Sequence, residues 1–178
     1  MPTNIELKAR IHNASEQLRA VERLAGAPVE TFAQIDTFFQ VPHGRLKLRQ
    51  ANPGAAELIF YERVDQIGAR KSQYSRIPTD HPEALRQALA QAMGILGVVK
   101  KTRRLYLLGQ TRFHWDEVEG LGNFLEVEVV LRPEQSDHEG VQIAAKLQHQ
   151  LGIPEDRLIA EAYVDLLSDQ YEHEREEL

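Results

Sequence analysis

Apolar and polar residues alternate with a period of two along much of this chain, the pattern of strands whose two faces differ in character. Between Gln110 and Asp116, the side chains of Gln110, Arg112, His114 and Asp116 share one face, and Phe113 and Trp115 share the other. Gly120-Leu121-Gly122 then turns the chain, and Glu126 and Glu128 follow on a face opposite Leu125, Val127 and Val129. The beginning of the chain repeats the pattern, with Asn4, Glu6, Lys8 and Arg10 against Ile5, Leu7 and Ala9. Arg45, Lys47 and Arg49 alternate with Leu46 and Leu48, and Lys101 and Arg103 fall two apart. An isolated half-buried strand turns its charges to water. Here the charges recur on strand after strand, acids on some and bases on others, so closure into one sheet would make them the lining of a polar tunnel.

Helical spacing appears between these strands. Asn13 or Ser15 caps a helix through Leu18, Val21 and Leu24, which Gly26 and Pro28 stop. Phe32 to Val41 reads as the second strand, and Pro42-His43-Gly44 turns it into Arg45 to Arg49. Asn52-Pro53-Gly54 leads to strands at Glu57 to Val64 and Arg70 to Ile77. Asp80 is expected to cap a helix with Pro82 in its first turn, burying Leu85, Leu89 and Met93. After strands at Val98 to Leu107, Gln110 and Glu126, Ser136 to Glu139 has capping-box spacing and opens a helix through Val141, Ala144, Ala145 and Leu147. Pro154 to Leu158 reads as a short helical turn, Ala162 to Leu167 as an apolar piece of undecided type, and 171–178 as a charged, fraying tail. The sum is an α+β fold, an eight-stranded antiparallel β-barrel with helices packed outside, as a single domain over 1–170.

Composition narrows the chemistry. A chain of 178 residues, 42% hydrophobic and 27% charged, can fold around one sizeable core. No hydrophobic run approaches membrane-spanning length and no signal-peptide pattern precedes the first strand, so a cytoplasmic protein is expected. With no cysteine, any metal must take oxygen or imidazole ligands, which suits Mg2+ or Mn2+ better than zinc. A net charge of -6 argues against nucleic acid or a membrane surface as partner. Local basic clusters at Arg45 to Arg49, Arg70 to Arg76 and Lys100 to Arg104 point instead to a compact anion. Acids and bases together on one inner surface suit a metal-bound polyphosphate, since carboxylates hold the cation while Lys and Arg hold phosphate oxygens.

Five pieces in order carry a resemblance: Asn4-Ile5-Glu6-Leu7-Lys8, Gln34-x-Asp36-Thr37-Phe38-Phe39, Gly44-Arg45-Leu46-Lys47-Leu48-Arg49, Val99-x-Lys101-x-Arg103, and Asp116-x-Val118-x-Gly120-Leu121-Gly122 with Leu125-Glu126-x-Glu128. The chain resembles the CYTH, or triphosphate tunnel metalloenzyme, superfamily, and within it the class IV adenylyl cyclases, whose ending Tyr163-Val164-Asp165-Leu166-Leu167 also matches. The resemblance implies a tunnel that binds a small-molecule triphosphate, ATP or tripolyphosphate, with two divalent cations. It implies Glu6 and Glu126 as metal ligands, with Asp116 and Glu128 as helpers. Lys8, Lys47, Arg49, Arg63, Lys71, Lys101, Arg103 and Arg112 are then the candidates to hold phosphate, and Lys8, Arg63, Lys71, Lys101 and Arg103 those expected to serve the reaction. Asn4 stands where the family has its first glutamate; an amide oxygen still ligates Mg2+ or Mn2+, without the charge. Cyclisation of ATP, hydrolysis of an inorganic or thiamine-type triphosphate, and binding without turnover all remain compatible with these residues. His114 reads either as a structural side chain or as a proton or metal partner, Asp116 as a loop-fixing or site residue, and Asp36 as tunnel lining or the partner of Arg45 or Lys47. Trp115 and Phe113 read as outer-face packing, and an exposed barrel edge or an outer apolar face could support a homodimer.

Overall fold

In the computed structural model, which describes residues 3–176 with side chains to 170, eight strands close on themselves. They are β1 (Thr3–Arg10), β2 (Glu30–Phe39), β3 (Arg45–Asn52), β4 (Ala56–Arg63), β5 (Arg70–Thr79), β6 (Ile95–Leu108), β7 (Thr111–Val118) and β8 (Gly122–Val130). Short turns join β2 to β5 and β6 to β8 as two antiparallel meanders. The barrel closes because β1 pairs with both β5 and β8 while β2 pairs with β6, giving the order β1-β5-β4-β3-β2-β6-β7-β8. Four helices accompany the sheet: α1 (Ala14–Ala25), α2 (Pro82–Met93), α3 (Asp137–Gln150) and α4 (Tyr163–Glu176).

The register brings opposite charges face to face, because directly paired residues point to the same side of a sheet. Lys8 lies opposite Glu126, Glu6 opposite both Arg70 and Glu128, Asp36 opposite Arg49, and Arg103 opposite Asp116. The intervening apolar residues turn outward. Ile5, Leu7, Tyr106, Phe113, Trp115, Leu125, Val127 and Val129 form one buried cluster with Ala20 and Val21 of α1 and Ala144 and Leu147 of α3. Phe113 and Trp115 are therefore packing residues under helices, as their strand face predicts. Asn13 caps α1 by accepting from the Glu16 amide, and Ser136 and Glu139 form a reciprocal capping box on α3.

Two expectations change. The helix after Asp80 forms, but His81 occupies its cap position without a side-chain bond, and none of its residues is buried; Met93 is 40% exposed. Its helical spacing holds, yet it meets the barrel at β2 and β3 without fully burying any of its side chains, so little apolar surface is removed from water there. The undecided segment 162–167 belongs mainly to α4, which continues to Glu176 through most of the stretch expected to be a tail; 177–178 lie outside the described residues. Its first turn seals one end of the barrel. Ala162, Tyr163 and Val164 pack on Phe38, Val99, Val118 and Phe124 in a second buried cluster. Gly97 permits the approach, since a Cβ there would stand 2.6 Å from Val164 Cγ2. Among the described residues no helix is long and apolar enough to cross a membrane.

Gly140 marks where α3 meets the barrel most tightly, for an added Cβ would stand 2.6 Å from both Ile5 Cγ1 and Leu131 Cδ2. Gly140→Ala is expected to lower the urea midpoint: overpacking costs about 1–3 kcal/mol, against up to ~1 kcal/mol recovered in helix propensity. An unchanged or higher midpoint would show that the α3 contact yields freely.

Candidate active site

Alternate residues from all eight strands line a cavity of about 540 Å³ inside the barrel. Asn4, Glu6 and Lys8 come from β1, Gln34 and Asp36 from β2, Lys47 and Arg49 from β3, and Arg63 from β4. Ser72 and Tyr74 come from β5, Lys101 and Arg103 from β6, Arg112 and His114 from β7, and Glu126 and Glu128 from β8. The α4 segment adds Ala162 and Tyr163 at the closed end.

Charge is layered along this cavity. At the closed end Lys8 Nζ sits 3.8 Å and Lys101 Nζ 5.0 Å from the centroid of the Tyr163 ring. Beneath them Asp116, fully buried, accepts from Lys101 at 2.7 Å, from Arg103 at 2.6 Å and from the Tyr163 hydroxyl at 3.1 Å. Farther along, Asp36 accepts from Lys47 at 2.8 Å and Arg49 at 3.0 Å, and Glu6 from Arg63 at 2.7 Å. Glu126 takes Arg103 at 2.8 Å and lies 3.4 Å from Lys8. Nearest the mouth, Glu128 accepts from the Asn4 amide and from Arg112 at 3.3 Å. His114 lies between the two acids, 3.6 Å from Glu126 and 3.9 Å from Glu128.

This crowding shifts the titrations. Burial disfavours the charge on Asp36 and Asp116, but Arg49 and Lys47 for the first, and Arg103 and Lys101 for the second, outweigh it and hold both carboxyls well below the usual range. Burial pushes Lys47 down to about 7, with Arg49 adding to the effect and Asp36 opposing it. Lys8 falls to about 8 for the same reason, partly offset by Glu126. His114 is lowered by burial and by Arg103, so it is neutral at pH 7. Burial, with Asp116, raises the Tyr163 hydroxyl well above its ordinary value and keeps it a donor.

Of the residues singled out from sequence, Asn4, Glu6, Lys8, Lys47, Arg49, Arg63, Lys101, Arg103, Arg112, Glu126 and Glu128 all line the cavity. Lys71 does not. It follows inward-facing Arg70 by one residue, so it points outward and pairs with Asp137 at 2.9 Å on the surface. Asp116 faces the interior but lies under the cations rather than against the cavity, and its oxygens are engaged by Lys101, Arg103 and Tyr163. Asp36 pairs with Lys47 and Arg49, whereas Arg45 turns to Asp65 and Asp165. Arg70 and Tyr163 were not picked out for the site. Strand parity could have exchanged Arg70 for Lys71 had the start of β5 been known, but Tyr163 sits on a helix and carries no strand signal.

The donors suit a hard divalent cation. Asn4 Oδ1 is buried without a hydrogen-bond partner, on the side of the barrel where β1, β8 and β7 also bring the oxygen and imidazole donors of Glu6, Glu126, Glu128 and His114. As the side chains stand, these acids are turned to Arg63, Arg103 and Arg112, and among the described residues no three acids or histidines are gathered as a metal cluster.

Residues 2–163 match the CYTH domain. The chain belongs to this family. CYTH triphosphate tunnel proteins act on triphosphates and use divalent metals. No curated protein matches the sequence. Among solved structures, a Pyrococcus horikoshii protein is 27% identical, with a TM-score of 0.82 over 92% of this chain and 98% of its own. A candidate adenylate cyclase from Vibrio parahaemolyticus is 19% identical, with a TM-score of 0.77 over 93% and 97%. A candidate adenylyl cyclase from Hippeastrum, described as having a dominant triphosphatase activity, is 16% identical, with a TM-score of 0.63 over 91% of each chain. These last two likenesses establish the CYTH barrel as a shared fold.

Asp116→Asn leaves buried Lys101 and Arg103 without their common counter-charge, and is expected to cost about 3–5 kcal/mol in denaturant unfolding. A loss under ~1 kcal/mol would show that Glu126 and Tyr163 suffice. The depressed lysines make a second prediction: at pH 8, inorganic tripolyphosphate should take up protons as it restores the ammonium forms of Lys47 and Lys8. Calorimetry in buffers of different ionisation enthalpy reads this directly, and heats independent of buffer would mean both lysines are already charged.

Proposed function

We propose that this CYTH protein is a metal-dependent enzyme acting on a nucleoside triphosphate, converting ATP to cyclic AMP and pyrophosphate. The graded lining of the cavity supports this reading best. Lysines and arginines crowd the deep end, the acids Glu6 and Glu126 stand midway with Glu128 toward the mouth, and Phe32, Tyr74, Leu105 and Leu107 border the mouth. A phosphate chain suits the first, a metal ion the second, and a flat, partly apolar base the third.

Glu6, Glu126 and Glu128, with the Asn4 amide oxygen, are the groups that would hold Mg2+ or Mn2+. When bound, such an ion polarises phosphoryl oxygens and offsets their charge. Lys8, Lys47, Lys101 and Arg103 hold the two outer phosphates and stabilise the charge that builds on them as pyrophosphate leaves. Arg112 and Arg49 hold the inner phosphate toward the acids. His114, neutral between Glu126 and Glu128, takes the proton of the ribose 3'-hydroxyl as its oxygen bonds to the α-phosphorus and the bond to the β-phosphate oxygen breaks.

A second reading has its own support. Lys8, Lys47, Lys101 and Arg103 converge at the deep end, where as cations they would equally stabilise charge on a terminal phosphorus attacked by water, which would make the protein a triphosphatase.

Incubation with ATP, inorganic tripolyphosphate and thiamine triphosphate in turn, with Mg2+ or Mn2+, and chromatography of every product separates the two. Cyclic AMP with pyrophosphate is expected, and Glu126→Gln should lower its rate on the order of 100-fold or more. Phosphate release would move the protein to the triphosphatases. Metal-dependent binding without any product, reversed by Asn4→Glu, would show a barrel that retains its ligand but lost turnover with its first acid.

A further inference from the structure

The cavity is blind, and this has a consequence for substrate length. Ala162, Tyr163 and Val164 close its deep end, and Tyr163 is 6% exposed. The Tyr163 ring is held from several sides. Its hydroxyl donates to Asp116 at 3.1 Å, its face receives Lys8 at 3.8 Å, and it meets Phe124 edge-on with centroids 4.9 Å apart. A phosphate chain entering from the mouth stops where Lys8 and Lys101 converge on that ring. From Lys8 back to Asn4 is four steps along β1, about 13 Å at the rise of a strand, and beyond it the lining changes to Phe32, Leu105 and Leu107.

Resting on the triphosphate reading of this site, we infer that Tyr163 is a specificity-determining residue, the back wall that counts phosphates. With its last phosphate against Lys8 and Lys101, a triphosphate leaves its organic group toward the apolar mouth. A fourth cannot pass Tyr163, so it displaces the organic group outward by one phosphate, away from Phe32, Leu105 and Leu107 and into water. Discrimination then depends on the bulk of the ring and not on its hydroxyl, because Val164, Phe124 and the flanking lysines fix the position of the ring independently of Asp116.

Calorimetric Kd values for ATP and adenosine 5'-tetraphosphate, each with Ca2+ in place of Mg2+ and recovered unchanged by chromatography afterwards, test this in the wild type, Tyr163→Phe and Tyr163→Leu. The wild type is expected to favour ATP by at least about tenfold, one such factor being the loss of a modest set of contacts. Tyr163→Phe should keep that ratio, and Tyr163→Leu should bring it toward one by deepening the cavity. Equal affinities in the wild type, an unchanged ratio in Tyr163→Leu, or a ratio lost equally in Tyr163→Phe would each overturn the inference. If Tyr163→Leu does not fold, the wild-type and Tyr163→Phe ratios decide alone. Binding is read without turnover, so a preserved preference for three phosphates with no cyclic AMP formed would sink the catalytic reading and leave the wall intact. Failure of both nucleotides to bind would overturn both.

Discussion

The neutralisation of buried charge is the constraint on which this barrel depends. Asp116 is the clearest case: no part of it reaches solvent, and three donors from β6 and α4 satisfy it. An isolated ion in such a place would cost several kcal/mol, so the acid and its partners are stable only together. The same holds around the cavity, where Asp36 answers Lys47 and Arg49, Glu6 answers Arg63 and Arg70, and Glu126 answers Arg103 and Lys8. At the deep end burial, with Arg49 beside Lys47 and Arg63 near Lys8, keeps both lysines lowered despite their acid partners. An interior in which cations repel one another is already suited to an anion. The pull of this end on an anion and the cost of folding around these lysines are two sides of one electrostatic fact.

The wall that ends the cavity belongs to a different level of structure. Tyr163 and Val164 lie far along the chain from every strand they touch, and they reach the barrel only because Gly97 leaves room for Val164 and Phe38, Val99 and Phe124 offer an apolar rim. This packing makes a pocket out of a through-going tunnel. It also ties fold and site together, since Tyr163 belongs to the second hydrophobic cluster and to the hydrogen-bond network of Asp116 at once.

Strand periodicity in the sequence determined the charged inner face, the apolar outer face, and ten cavity-lining residues from Asn4 to Glu128, to which the family resemblance added Arg63. Period-two patterning is local and unambiguous wherever three or more alternate charges run together, and the packing of Trp115 and Phe113 follows from the same parity. It failed at Lys71, where the turn at Gly68 leaves the start of β5 open and a slip of one residue reverses the face. It failed at Asp116 for another reason, because parity says which side a carboxylate faces but not whether cations will cover it. The helix at Pro82–Met93 was legible as a helix, whereas its lack of burial depended on what the neighbouring sheet offered it. Tertiary structure alone decided the closed end, the pairing of each acid with particular bases, and the lowered lysines. Those are contacts between residues remote in sequence, and their energies depend on distance and solvent exclusion that no local pattern encodes.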